Sequence, residues 1–151
     1  MKPSKQPRKT LRADAARLIG SCAGLGSRLA ARRITQFLEG ELVGANLTLA
    51  QLGLMAQLAA APDDTIAALA RRTGLDQSTL SRNLRALEVE GLVEIAIVET
   101  DLRRRAVWLT EKGARRLEQV IPLWRDANVR LSRHVDSELV LRLARESERL
   151  P

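Results

Sequence analysis

Between residues 77 and 90 a polar, basic face is set against a leucine stripe. Ser78, Arg82 and Arg85 fall opposite Leu80, Leu84 and Leu87 on a helical wheel, flanked by Thr79 and Ala86. Hydroxyls hydrogen-bond to base edges, and guanidinium groups pair with phosphates or fork onto guanine. A helix whose leading side chains are this short can enter the major groove of duplex DNA, so Ser78, Thr79 and Arg82 are the leading candidates for contact, with Gln77, Ser81, Asn83 and Arg85 behind them. Further along stand three consecutive arginines, Arg103, Arg104 and Arg105. At a hairpin tip they would carry delocalised positive charge into a narrow minor groove. Asp101 has the wrong charge for phosphate and is expected to organise that tip by pairing with an arginine.

The elements that must position these groups are legible on either side. Thr48 starts a helix running to about Ala61, with Leu49, Leu52, Met55, Ala56 and Ala59 toward the core, and Pro62-Asp63-Asp64 breaks it. Thr65 caps the next helix, whose core face is Ile66, Leu69 and Ala70. Gly74 supplies the tight turn before Asp76, whose carboxylate can accept from the free amides that open the helix over 77–90. Gly91 ends that helix. Val93, Ile95 and Ile97 then alternate with Glu94, Ala96 and Val98 as a half-buried strand does, and a second strand returns over Arg105 to Leu109, leaving 101–104 as the tip. The fold class expected is mainly α with a small two- to three-stranded β-wing, a winged helix-turn-helix with helical dimerisation segments at both ends.

Residues 13 to about 43 read as one long helix with Leu18, Cys22, Leu25 and Leu29 on one face and Ile34, Phe37, Leu38 and Leu42 on another, a side for a partner chain and a side for its own domain. Gly40 and Gly44 lie near its end. In the last third, Leu117, Ile121, Trp124, Asn128, Leu131 and Val135 recur at heptad-like spacing along a helix that Pro122 interrupts, and Asp136 or Ser137 caps a final helix bearing Leu139 and Leu143. The organisation expected is a basic tail over 1–12, an N-terminal dimerisation helix over 13–46, a DNA-binding lobe over 47–112 and C-terminal dimerisation helices over 113–151, intertwined as one domain.

At 151 residues the chain suits one domain. Its net charge of +7 favours a polyanionic partner. Part of that charge, Lys2, Lys5, Arg8, Lys9 and Arg12, sits in the tail, either a solvated arm or one that orders on DNA. No apolar run approaches the roughly 18 residues of a membrane span, which points to a cytoplasmic protein. One Cys and one His are too few soft ligands for a structural zinc site, and neither a phosphate-cradling glycine loop nor a catalytic triad is present, so neither an enzyme nor a cofactor is expected. Cys22 reads two ways, as core packing on its apolar stripe or as an oxidant-sensing thiol. Arg28, Arg32 and Arg33 read as an anion site for a small-molecule effector or as surface ion pairs. His134, Trp108 and Trp124 read as surface or packing residues.

The chain resembles the multiple antibiotic resistance regulator (MarR) family of winged-helix transcription factors from about residue 15 to 135. The resemblance is carried by Asp101-x-Arg103 followed by Leu109-Thr110-Glu111-Lys112-Gly113, by Leu47-Thr48-x-x-Gln51, and by Leu87-Glu88-x-x-Gly91-Leu92-Val93. It implies a homodimer on an inverted-repeat operator, repression of neighbouring genes and release by a small molecule or oxidant, with Arg103 as the wing-tip arginine and Asp101 as its partner. The alternative is a winged-helix protein-interaction module, which would present a neutral or acidic face where this chain carries Ser78, Arg82 and Arg85.

Overall fold

The computed structural model describes residues 10–61, 64–98 and 101–151, the side chains of Asp64, Val98 and 101–104 excepted. Among the described residues the order is α1 (Leu11–Ser21), α2 (Ala23–Glu41), a 3-10 turn (Val43–Ala45), α3 (Leu49–Ala60), β1 (Asp64–Thr65), α4 (Ile66–Thr73), α5 (Gln77–Val89), β2 (Val93–Val98), β3 (Asp101–Leu109), α6 (Glu111–Leu131) and α7 (Ser137–Ser147). This is the mainly α winged arrangement expected. The chain divides into two compact units, one ending at Gln36 and one starting at Phe37.

The long helix expected over 13–43 is two. Cys22 leaves helical geometry at φ −78° and ψ 107°, although its N–H still bonds Leu18 O. Gly20, Ser21, Gly24 and Gly26 surround the break, all weak helix formers, and Ser21 Oγ donates back to Arg17 O at 2.8 Å. Nothing in α1 is buried to enforce continuity. The left-handed residue that follows α2 and the 3-10 turn is Asn46 at φ 53° rather than either nearby glycine.

In the second unit Leu42, Leu54, Met55, Leu69, Leu80, Leu84, Leu87, Leu92 and Val107 are buried together, with α3 contributing Leu52, Leu54, Met55 and Leu58. Thr48 and Gln51 form a full capping box on α3. Ala56 and Ala59, expected in the core, are exposed. They line a groove of about 540 Å³ with Leu49, Gly53, Ile121 and Trp124. The heptad seam of α6 shifts likewise: Gly113, Leu117, Val120, Ala127 and Leu131 are buried, while Ile121 and Trp124 stay open. Helix α6 continues through Pro122.

The sheet runs β1-β3-β2, all antiparallel. Val93 pairs with Leu109 and Ile97 with Arg105, and the register shifts between Ile97 and Val98. Strand β3 begins at Asp101, which pairs with Val98, but the register steps there directly from Ile97–Arg105, so of the expected tip residues 101–104 only Asp101 has a partner in the ladder and 102–104 bulge between the two pairs.

Helix α6 starts against the end of α5. Thr110 Oγ1 accepts from Gly113 N at 3.0 Å and donates to Gly91 O at 2.7 Å, Thr110 N donates to Leu92 O at 3.1 Å, and Lys112 Nζ donates to Glu90 O at 2.6 Å. Gly113 permits this approach, since a Cβ there would overlap Leu92 O.

Candidate nucleic-acid interface

Helices α4 and α5 are joined by Gly74, left-handed at φ 64°, and Leu75. Thr65 caps α4 by accepting from Ala68 N at 3.1 Å, and Asp76 caps α5. The leucine stripe of α5 is buried as the wheel requires, which turns Gln77, Ser78, Ser81, Arg82 and Arg85 outward. Thr79 and Asn83 are half-buried. Asn83 Nδ2 donates to Thr79 O at 2.9 Å, so one of its donors is already committed to the backbone.

Asp76 does more than cap. Its Oδ1 accepts from Ser78 Oγ at 2.6 Å and from Thr79 N at 2.9 Å, and its Oδ2 accepts from Thr79 Oγ1 at 2.8 Å. These donors, the Ser78 hydroxyl first, hold the carboxyl well below its ordinary value of 3.8. It is a carboxylate at any physiological pH.

Arg105 is exposed on β3 and lines one cleft of about 610 Å³ with Gln77 and Ser81 of α5 and with Thr65, Ile66 and Ala70. The structure thus brings one wing arginine to the polar face of α5. The side chains of Asp101, Arg103 and Arg104 lie outside the described residues. Cys22 is exposed in the single chain, on the stripe expected to face a partner chain. The stripe has no covering element within α1, where no residue is buried. Arg28, Arg32 and Arg33 are exposed on α2. His134 meets Phe37 edge-on with ring centroids 6.0 Å apart.

Sequence reasoning missed the three-bond role of Asp76, the Lys112 bond to Glu90 and the α3–α6 groove. The small residues Gly53, Ala56 and Ala60 at helical spacing, with Trp124 in the same groove, were the signal that could have found the last. Among the described residues no group of three or more His, Cys, Asp or Glu could hold a metal ion, and no helix is long and apolar enough to cross a membrane.

A family model described as MarR family matches residues 45–104. The transcriptional regulator MosR of M. tuberculosis, solved in complex with DNA, is 31% identical over 86% of this chain and 100% of that chain, with a TM-score of 0.71. Wild-type MarR of E. coli in its apo form is 25% identical over 85% of this chain and 97% of that chain, with a TM-score of 0.65. A cysteine-to-serine MarR variant from E. coli, complexed with operator DNA, is 25% identical over 89% of this chain and 99% of that chain, with a TM-score of 0.73. No curated protein sequence matches the chain significantly.

Proposed function

Because the chain belongs to the MarR family, whose members are transcriptional regulators and not enzymes, we propose that it acts as a cytoplasmic homodimer that represses transcription from an inverted-repeat operator. Helix α5 with the following residue (77–90) enters the major groove and the wing (99–106) the adjacent minor groove. The observation that carries this reading is the outward face of α5, where Ser78, Ser81, Arg82 and Arg85 are exposed beside Arg105 of β3. Short hydroxyls and guanidinium groups on one exposed face form the donor, acceptor and charge pattern that duplex DNA complements. The similar structures solved with DNA, MosR and the MarR variant, support the same partner.

The dimer is supported by apolar surface that a single chain leaves open. In the first unit Leu18, Leu25 and Leu29 are 59%, 45% and 48% exposed; in the second, Leu139, Leu141 and Leu143 of α7 are equally bare. A second copy covers both sets, and two copies of α5 then address half-sites about one helical turn, roughly 34 Å, apart. Release follows a small-molecule or oxidant signal, for which the α3–α6 groove, the exposed thiol of Cys22 and the guanidinium groups of Arg28, Arg32 and Arg33 are the entry points.

The test is fluorescence anisotropy of the full chain on the DNA flanking its own gene against random duplex, across a salt series. Preference for one inverted-repeat fragment is expected. Equal affinity for every fragment refutes a specific operator, and no affinity for duplex DNA refutes the reading altogether.

A further inference from the structure

A serine or threonine hydroxyl at a DNA interface ordinarily suits either kind of base edge, because its single proton rotates toward whichever partner needs it. At the start of α5 that freedom is gone. Ser78 Oγ lies 2.6 Å from Asp76 Oδ1, and Thr79 Oγ1 lies 2.8 Å from Asp76 Oδ2. An ionised carboxylate only accepts, so both hydroxyls must donate to it. The lone pairs left on the exposed Ser78 hydroxyl and Asp76 carboxylate and on the half-buried Thr79 hydroxyl are therefore pure acceptors, beside the exposed Gln77 amide, which can both donate and accept.

We infer that Asp76, Ser78 and Thr79 form an acceptor-only reading head that selects an exocyclic amine, adenine N6 or cytosine N4, at one strand position of each half-site and rejects the keto bases guanine and thymine there. The inference rests on the operator-binding reading and adds to it the chemistry of one base. Guanine O6 or thymine O4 at that position would set lone pair against lone pair, leaving two desolvated acceptors unsatisfied. Arg82 follows Ser78 by one turn on the same exposed face and only donates. It complements the O6 and N7 of guanine. The reading face is therefore divided, with the acceptors of Asp76, Ser78 and Thr79 at its N-terminal end and the donors of Arg82 one turn further. Asp76 is a positioning residue in this scheme as well as a contact, because it decides where the hydroxyl protons point.

The experiment starts from a duplex selected by the full chain from a randomised library, followed by binding to each of its single base-pair substitutions. The expected profile has one position per half-site where adenine and cytosine exchange with little loss while guanine or thymine weakens binding about tenfold. Asp76→Asn keeps an N-cap acceptor for Thr79 N, yet its amide Nδ2 donates to Thr79 Oγ1 and frees that hydroxyl proton. Amino-over-keto discrimination then falls to within about threefold. Ser78→Ala, which leaves the cap intact, flattens the same position and no other. A helix-capping role alone would lower affinity for every duplex alike and leave the base profile unmoved. A keto preference at every contacted position, or an unchanged profile in both variants with operator binding retained, overturns the inference while the operator reading stands. A wild-type protein that selects no sequence overturns the operator reading itself, and the inference falls with it.

Discussion

Replacing Gly113 by Ala should cost the protein a large share of its stability, although alanine is the better helix former by about 1 kcal/mol. Gly113 lies in the first turn of α6, and a Cβ on it would overlap Leu92 O, with Leu92 C at 2.9 Å and Leu109 Cδ2 at 3.3 Å. Leu92 O is backbone, fixed by Thr110 N at 3.1 Å, and the Leu92 side chain is fully buried, so neither partner can turn aside. The start of α6 must instead lift away. That overpacking costs about 1–3 kcal/mol, and lifting weakens the bonds to Glu90 O, Gly91 O and Leu92 O, each worth about 0.5–1.5 kcal/mol net. A total of about 3–5 kcal/mol is expected against a typical 5–15. With a urea slope near 2 kcal/mol per M, the unfolding midpoint should fall by about 2 M. Gly53→Ala is the control, since a Cβ there meets nothing within 4 Å and should be neutral or stabilising. A midpoint shift below about 0.5 M for Gly113→Ala would refute the close approach of α6 to the end of α5.

Two further outcomes follow from the geometry. Asp76 has its carboxyl held below the ordinary 3.8, so its contribution to stability is present above that pH and is lost as pH falls through the lowered value. The stability difference between wild type and Asp76→Ala should thus be constant above about pH 5 and shrink below pH 4; a difference that grows on acidification would contradict the sign. Leu18→Glu combined with Leu25→Glu, at exposed positions of α1 and α2, should leave the circular dichroism of the chain nearly unchanged yet produce monomers in sedimentation velocity. Dimers of undiminished affinity would remove this stripe from the interface.

Local rules are readable in the chain. Thr48, Thr65, Asp76 and Asp136 act as caps because a short oxygen-bearing side chain satisfies amides only two or three residues ahead. The buried stripe of α5 is equally plain, since Leu80, Leu84 and Leu87 return at helical spacing. What the chain does not disclose depends on distant neighbours. Strand β1 is two residues long and exists only through pairing with β3, Thr65 opposite Ala106, which no propensity encodes. Cys22 shares apolar spacing with Leu18, Leu25 and Leu29, but a stripe says nothing about which chain covers it. The helix break at Cys22 reflects glycine on both sides outweighing a periodic pattern with no burial behind it. Ala56 and Ala59 match the apolar spacing of α3, yet they are exposed and line a groove with Trp124 of α6, which spacing within one helix cannot specify. For the interface, residue types name the outward face of α5, while the direction of the Ser78 and Thr79 protons needs the position of the Asp76 oxygens.

The most direct test of the account compares Arg82→Ala and Arg105→Ala with wild type on the selected operator and on random duplex, across a salt series. Both arginines are exposed, one on α5 and one on the adjoining strand. The account predicts that Arg82→Ala lowers operator affinity about tenfold or more and relaxes preference at one base pair. Arg105→Ala should weaken both duplexes alike and make the logarithmic salt slope shallower by about 0.9 for each phosphate it no longer neutralises. Unchanged affinity and slope in both variants would contradict the claim that this face meets DNA.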